Sequence, residues 1–436
     1  MQVNTLIHAR WIIPVEPDDR VLEHHSLAIK DGRIVAIIPS QEAREQYQAD
    51  TTIELNDHAL IPGLINAHTH AAMNLLRGLA DDLPLMDWLN KHIWPAESRW
   101  VNEEFVLDGS ELAIAEMLRS GTTCFNDMYF FPNITARVAA QAGIRAMVGL
   151  IVLDFPTIWA EDADQYIEKG LQVFDQYKDD NLIHTAFAPH APYTVSDQPL
   201  QRIQTLADEL NIPLHIHLHE TISEIQHSLE HYQQRPLARL QQLGLVSPQL
   251  IAVHMTQLEE DEITLMTDYQ AHVVHCPESN LKLASGFCPL QKLIKAGVNV
   301  ALGTDGAASN NDLDMLSEMR SAALLAKGVA NDASAVPAHQ ALRMATINGA
   351  RALGLDQEIG SLECGKWADI TAIQLDDIET GPVYNPISQL VYAASRDKVS
   401  DVWVNGKHLL KERQLTTLNS DKIIHKARAW RDKIAQ

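Results

Sequence analysis

Short apolar runs alternate with longer amphipathic stretches through the middle of the chain, from about residue 61 to residue 354. Each run has the length of a buried strand, and helical spacing of apolar positions appears between most of them, as in Glu103–Arg119 and Leu200–Leu210. The eight predicted strands are Leu60–Asn66, Thr122–Asn126, Ala146–Leu150, Ile183–Ala188, Leu214–His217, Leu250–His254, His272–His275 and Val298–Gly303. This repeated alternation predicts a (β/α)8 TIM barrel of the α/β class.

The two ends of the chain show short strands joined by tight turns. The predicted elements there are the strands Ser26–Lys30, Arg33–Ile38, Ala368–Gln374 and Val399–Val404 and a helix over Ser420–Ile434. Asp31-Gly32 and Asn405-Gly406 are typical of two-residue β-hairpin turns. We therefore predict a small composite β-sandwich domain built from both termini, residues 1–60 and 355–436, beside a barrel domain of residues 61–354.

Composition narrows the class of protein. The 436 residues are 46% hydrophobic and 21% charged, which is ordinary for a globular protein. A net charge of −23 argues against a nucleic-acid-binding surface. The scattered cysteines Cys124, Cys276, Cys288 and Cys364 lack C-x-x-C spacing, so we expect neither a disulfide framework nor a cysteine-based zinc site. Without a signal-peptide layout or a long uncharged apolar run, the expected protein is cytoplasmic and has no membrane partner.

Histidines gather at the ends of the predicted strands. His68 and His70 follow the first strand, and their spacing places both on one face of an extended chain. Other strand ends carry His190, His217, His254, His275 and Asp305. Any one histidine could simply be structural. Because functional residues of such barrels lie at the carboxyl ends of the strands, three histidines and a carboxylate among them can form a mononuclear metal site with room for water.

The fifth predicted strand contains three alternating histidines, His215, His217 and His219. Glu220 stands three residues after His217, where a carboxylate could transfer protons beside the metal; the alternative is an ordinary loop carboxylate. We expect His215 to pack deeper in the barrel, and His219 to be structural or to line the site. Asp305 follows the last strand, where it can bind metal and accept a proton, or merely cap a helix.

These residues lie in longer segments that together resemble the amidohydrolase superfamily over almost the whole chain. The segments are Pro62–His70, Leu76–Gly78, Trp88 with Trp94–Glu97, Ala188–Tyr193, His217–Glu220, Leu302–Ser309 and Gly360–Asp369. The last of them identifies only the superfamily. The others are similar to the branch that uses one metal ion and no carboxylated lysine, and most similar to the 5-methylthioadenosine/S-adenosylhomocysteine deaminases.

The resemblance implies a role for each candidate residue. The implied metal ligands are His68, His70, His217 and Asp305. They would hold one Zn²⁺ per subunit, with Fe²⁺ or Mn²⁺ as alternatives. The implied catalytic residues are Asp305, the proton-shuttling Glu220 and His254, which would contact the nucleophilic water. Implied substrate contacts, besides Glu220 and Asp305, are Glu97 to the ribose hydroxyls, His190 to the purine, and Trp88 and Ser309. Arg145 is the candidate for binding a substrate carboxylate.

The activity implied by the resemblance is hydrolytic deamination at C6 of an adenine nucleoside. The expected substrate is 5′-methylthioadenosine or S-adenosylhomocysteine, and the products are the inosine analogue and ammonia. Adenosine, guanine and other aminohydrolase substrates, or a triazine chlorohydrolase activity, stay open as alternatives, as does a non-catalytic scaffold. The H-x-E and P-C-x-x-C pair of nucleic-acid deaminases is absent. The expected partner is therefore a small nucleoside, with a homo-oligomer as an open alternative.

Overall fold

The computed structural model describes residues 1–17 and 20–435. Its strands are β1 Gln2–Ile12, β2 Leu22–Lys30, β3 Arg33–Pro39, β4 Gln48–Pro62, β5 Leu64–Thr69, β6 Thr122–Asp127, β7 Arg145–Val152, β8 Ile183–Pro189, β9 Leu214–Leu218, β10 Leu250–His254, β11 His272–His275, β12 Asn299–Leu302, β13 Ile370–Gln374, β14 Val399–Val404, β15 Lys407–Lys411 and β16 Gln414–Leu415.

The α-helices lie mainly between the strands of the central region. They are α1 Ser40–Gln46, α2 Leu85–Trp88, α3 Trp94–Trp100, α4 Glu103–Arg119, α5 Pro132–Ala142, α6 Ala163–Tyr177, α7 Asp197–Leu210, α8 Ile222–Tyr232, α9 Pro236–Gln242, α10 Glu260–Asp268, α11 Pro277–Lys282, α12 Leu290–Ala296, α13 Met315–Ala330, α14 Ala338–Met344, α15 Ile347–Ala352, α16 Pro386–Tyr392 and α17 Ser420–Ile434. None of these helices combines the length and apolar character needed to cross a lipid bilayer.

Strands β5 to β12 form the barrel, each pairing in parallel with the next. Every residue of β5, β6 and β7 is buried, because helices cover the outside and side chains fill the inside. The first and last strands meet where the Asp305 amide donates to the His68 carbonyl at 3.0 Å. Gly303 permits this approach, since a Cβ there would lie 2.8 Å from the His68 nitrogen. The predicted barrel is confirmed.

The predicted strand Leu60–Asn66 is divided in the structure. Its first residues belong to β4, which ends at Pro62, and the barrel strand β5 starts at Leu64. Between them, the Gly63 amide donates to the Asp369 carbonyl at 2.9 Å. A Cβ on Gly63 would lie 2.0 Å from Thr123 Oγ1, so only glycine fits here. The apolar run is continuous across this change of sheet because both strands are buried.

The terminal segments form a separate mixed sheet in the order β16-β15-β14-β13-β4-β1-β2-β3. Its two predicted hairpins are confirmed. The φ values are 52° at Asp31 and 79° at Gly32 in the first turn, and 52° at Asn405 and 72° at Gly406 in the second. Two consecutive positive φ values define the type I′ turn that suits the twist of a hairpin. The predicted C-terminal helix is α17, whose Trp430 indole donates to Asp108 of α4 at 2.9 Å. This bond attaches the end of the chain to the barrel.

Candidate metal centre and active site

Four predicted ligands converge at the carboxyl ends of three strands. His68 lies in β5 and His70 just after it, His217 lies in β9, and Asp305 follows β12. One ligand atom from each of the four residues lies within 4.8 Å of the others. Three imidazoles and one carboxylate are a donor set that suits a divalent metal ion such as zinc. The structure therefore brings together the metal-ligating residues expected from the sequence.

Hydrogen bonds fix which imidazole nitrogens face the centre of this cluster. His70 Nδ1 donates to the Met128 carbonyl at 2.5 Å, and His217 Nδ1 donates to the His190 carbonyl at 2.7 Å. Both Nε2 atoms are then unprotonated in the neutral rings, yet they lie only 3.3 Å apart. Two facing lone pairs repel unless a cation lies between them. The arrangement fits a bound metal ion.

His68 is bonded on its outer ring nitrogen to His215, a residue that the sequence analysis assigned only to packing. Its Nδ1 lies 2.9 Å from Nε2 of His215, and both side chains are fully buried. His68 Nε2 is buried without a hydrogen-bond partner and lies 3.3 Å from Asp305 Oδ1. A donor or acceptor on the outer nitrogen of a ligating histidine sets its tautomer and ring orientation. His215 thus orients a ligand, and its alternation with His217 was the signal for this position.

The carboxylate of Asp305 is fixed on both oxygens. The Gly306 amide donates to Oδ1 at 2.7 Å, while the hydroxyls of Ser279 and Ser309 donate to Oδ2 at 2.7 and 2.8 Å. Burial alone would raise its pKa, but the His68 and His70 rings, whose Nε2 atoms lie 3.3 and 3.2 Å from Oδ1, hold the pKa of Asp305 well below its usual range. Asp305 is therefore an anion, as a metal ligand must be.

Glu220 and His254 lie beside the cluster. Glu220 Oε2 is 3.9 Å from His254 Nε2, and burial raises the pKa of Glu220 above its usual value. His254 Nδ1 lies 2.8 Å from the Asn280 amide oxygen, so the other ring nitrogen faces the cavity. The backbone of Glu220 is fixed by Glu224, which accepts from the amides of His219 and Glu220 at 2.9 and 2.7 Å. Asn280 and Glu224 belong to no recognisable motif, so neither was predicted from the sequence.

A cavity of about 600 Å³ opens above the cluster. The predicted site residues that line it are His70, Trp88, Glu97, His190, His217, Glu220, His254, Asp305 and Ser309. His68 is fully buried and does not line it. One space therefore connects the metal-ligating cluster with every residue expected to contact a substrate except Arg145. Helix α2 with the following π-helical turn, Leu89–Ile93, and α3 form one wall.

Two substrate candidates on the walls have defined partners. Glu97 of α3 accepts a hydrogen bond at 2.7 Å from the Tyr129 hydroxyl, and desolvation raises the pKa of Glu97 to about 7. This leaves its second oxygen free to accept hydrogen bonds. His190 lies 3.1 Å from Thr194 Oγ1, and burial lowers the pKa of His190 to about 3, so its ring is neutral. Tyr129 was not expected from the sequence, because it lies 32 residues from Glu97.

The structure corrects the proposed role of Arg145. This residue begins β7, at the opposite end of the barrel from the cluster. Its guanidinium is buried and pairs with Asp369, at 2.9 Å from Nε to Oδ2, while Nη1 donates to the Asn181 carbonyl. A side chain fully used there cannot bind a substrate carboxylate in the cavity. A strand offers two ends, and sequence position alone did not show which end Arg145 occupies.

Comparison with known proteins assigns the family. The model of the amidohydrolase family matches residues 59–409, which is most of the chain. The chain belongs to the amidohydrolase family. The predicted resemblance is thus confirmed, and the barrel, the terminal sheet and the histidine-rich strand ends are those of an amidohydrolase.

Curated relatives of this amidohydrolase have closely similar sequences. The 5-methylthioadenosine/S-adenosylhomocysteine deaminase of Saccharophagus degradans is 54% identical over 429 residues, covering 98% of this chain and 96% of the relative. The protein of the same name from Teredinibacter turnerae is 53% identical, with 98% and 97% covered. These identities extend along nearly the full length of each protein.

Solved structures agree with this family. A zinc-bound adenosine deaminase from Xanthomonas campestris superposes with a TM-score of 0.99 at 54% identity, covering 100% of this chain and 99% of that one. Atrazine chlorohydrolase from Arthrobacter aurescens, also with zinc, has a TM-score of 0.92 at 23% identity over 98% and 99% of the two chains, and thus shares the fold. The amidohydrolase fold is therefore common to proteins with different substrates.

Proposed function

We propose that the protein is a metal-dependent deaminase that hydrolyses the C6 amino group of adenine nucleosides, with 5′-methylthioadenosine or S-adenosylhomocysteine as substrate. The observation that carries this proposal is the shared cavity, which brings Glu97 and Glu220 to the same space as the cluster of His70, His217 and Asp305. The names of two relatives, which are 54% and 53% identical to this chain, support the substrate class.

The chemistry divides among three residues at the floor of the cavity. A divalent metal ion held by His68, His70, His217 and Asp305 would supply Lewis-acid activation of a water molecule. Asp305 accepts a proton from that water. Glu220, whose raised pKa favours a protonated carboxyl, delivers a proton to N1 of the purine and makes C6 more electrophilic. His254, when protonated, donates from Nε2 to the oxygen that becomes negatively charged as water adds to C6. The proton held by Asp305 then passes to the C6 amino group, the C6–N bond breaks, and ammonia leaves.

Glu97 supplies the preference for a nucleoside over a free base. Its free oxygen can accept from the hydroxyls of a ribose, while Tyr129 holds the other oxygen at 2.7 Å. A free base would leave this desolvated carboxyl without those donors, at a cost in binding. His190 and Trp88 line the same cavity and offer a polar edge and an aromatic face to the purine.

The test is an assay of metal-quantified protein with 5′-methylthioadenosine, S-adenosylhomocysteine, adenosine, adenine and guanine. The ultraviolet shift from adenine to hypoxanthine, or ammonia release for guanine, reports turnover. We expect high kcat/KM for at least one of the two 5′-thio nucleosides and negligible turnover of adenine. Turnover of free bases only would contradict the proposal, and a preference for adenosine would support the alternative substrate.

A paired substitution tests the proton shuttle. Glu220→Gln should lower kcat by about 10²–10⁴-fold, the usual contribution of general acid–base catalysis, while the zinc content stays near that of the unchanged protein. Glu230→Gln, on the exposed side of α8, is the matched control and should retain full activity. Near-native kcat in Glu220→Gln would rule out this role for the carboxylate.

A further inference from the structure

We propose that the cavity selects adenine nucleosides with a short, uncharged alkylthio group at the 5′ position and discriminates against those that carry a carboxylate there. This inference rests on the proposed nucleoside deaminase function and narrows its substrate class. It follows from the chemistry of the outer cavity wall, where the lining residues that could contact the 5′ group are mainly apolar and none is positively charged.

Exposure of the lining residues shows which end of the cavity is the mouth. At the floor, His254 is 1% exposed. Glu97, the proposed ribose contact, is half-buried. The lining residues Phe155 and Ile158 are 42% and 62% exposed, so they lie at the mouth. A nucleoside with its base over the metal-ligating cluster and its ribose at Glu97 would direct its 5′ carbon towards Phe155 and Ile158.

This outer wall is mainly apolar. Besides Phe155 and Ile158, the segment after β7 contributes Leu153 and Pro156, and Trp94 and Phe130 add further apolar surface to the cavity lining. Large apolar side chains exposed together at the mouth of a cavity are typical of a binding surface for an apolar group. A methylthio group is small and apolar, and binding it would remove part of this surface from water.

Among the described residues that line the cavity, none is a lysine or an arginine. The acidic side chains that line it are Glu97, Glu220 and Asp305. Histidines are present only near the floor and the proposed base site. A carboxylate at the mouth would therefore lose water without gaining a cationic partner, and it would experience an acidic rather than a basic environment.

Cations close to the wall in sequence are directed elsewhere. Lys91 pairs with Asp87 at 2.9 Å on the exposed side of the wall. Arg99 stands two positions beyond Glu97, about 200° around helix α3, and its guanidinium lies over the Trp100 ring at 4.5 Å. Lys169 donates to the Trp159 carbonyl and lies 4.9 Å from that residue's ring. Together with the buried Arg145–Asp369 pair, these interactions agree with the lack of lysine and arginine among the described residues that line the cavity.

The decisive experiment uses two nucleosides that differ only in charge. They are 5′-deoxy-5′-(2-carboxyethylthio)adenosine and the corresponding carboxamide, which has nearly the same shape. We expect kcat/KM for the acid to be lower than for the amide on the order of 100-fold, because like charges and an unpaired carboxylate oppose binding. S-adenosylhomocysteine, which also carries an ammonium group, should fall between them. Equal values for acid and amide would overturn the inference.

Failure of this inference is distinguishable from failure of the proposed function. If neither compound nor 5′-methylthioadenosine is deaminated, the deaminase proposal itself fails. Calorimetric titration of the acid and the amide into the Glu220→Gln variant measures the charge preference without turnover. Tighter binding of the amide supports the inference, and equal or tighter binding of the acid overturns it.

A substitution at the mouth tests whether the missing cation is the cause. Ile158→Arg adds a guanidinium beside the proposed 5′ subsite, and Ile158→Gln is the matched control that changes polarity without charge. We expect the ratio of kcat/KM for acid over amide to rise at least about 10-fold in the arginine variant relative to the glutamine variant. An unchanged ratio would show that this wall is not the 5′ subsite.

Discussion

The bond between His68 and His215 leads to a prediction about metal affinity. Replacing His215 by Phe keeps an aromatic ring of similar size but removes the acceptor for His68 Nδ1, which lies 2.9 Å from His215 Nε2. Metal binding at His68 Nε2 requires the proton on Nδ1. In the variant, that N–H would be buried without a partner, since both side chains are fully buried.

The size of the effect follows from the cost of one unpaired buried donor. That cost is about 1–3 kcal/mol. It corresponds to an increase of about 5- to 150-fold in the dissociation constant of zinc. The range agrees with the roughly 10–100-fold loss usually seen when the partner of a metal-ligating histidine is removed. His215→Gln has an amide oxygen that can accept the same bond, and it should recover part of the affinity.

Competition between the apoprotein and a chromophoric chelator measures the zinc affinity directly, independently of turnover. His184→Phe is the matched control, because His184 lies near the start of its barrel strand and lines a small pocket with Arg145, away from the metal-ligating cluster. Thermal unfolding of the apoproteins separates a loss of folding from a loss of affinity. A folded His215→Phe variant that binds zinc as tightly as the control would refute the reasoning.

Three further predictions concern stability. The pKa of Glu97 rises from its ordinary 4.5 to about 7 through desolvation, so folding favours its protonated form. The stability gained is present at low pH and is lost as pH rises through 7. In denaturation experiments, the free energy of unfolding of Glu97→Gln should therefore rise by up to ~3 kcal/mol relative to that of the unchanged protein by pH 8. A constant difference in unfolding free energy between pH 5 and 8 would contradict this. Arg145→Met leaves Asp369 buried without its partner and should cost about 3–5 kcal/mol in urea unfolding, whereas kcat/KM of the folded variant should be unchanged. Removing metal by dialysis against a chelator should lower Tm, since an ion at 1,000 times its Kd adds about 4 kcal/mol; an equal Tm in both forms would contradict a tightly held metal.

The elements predicted well from the sequence are those specified by neighbouring residues. The hairpins at Asp31-Gly32 and Asn405-Gly406 depend on two residues that tolerate positive φ, and the barrel strands are short apolar runs separated by helices. The change of sheet at Gly63 was missed because hydrophobicity does not change there. It depends on contact with Thr123, which is distant in the sequence.

The same distinction applies to the site. Strand ends are local features, and the rule that they meet at one end of a barrel was enough to group His68, His70, His217 and Asp305. The supporting residues depend on three-dimensional depth. His215 shares the alternation of His217 but lies one layer lower, where it meets His68, and Tyr129 reaches Glu97 across the cavity wall. No local pattern predicts such pairs.

The passage of the chain through Gly63 has a consequence for how this protein can be divided. Only one residue, Gly63, separates the end of β4 from the start of β5, so the strand that carries His68 is a covalent continuation of the terminal sheet. No spacer separates the two at that point. Excising the terminal sheet to obtain a minimal barrel would cut the backbone within six residues of a metal ligand, and circular permutation should place new termini in exposed loops elsewhere.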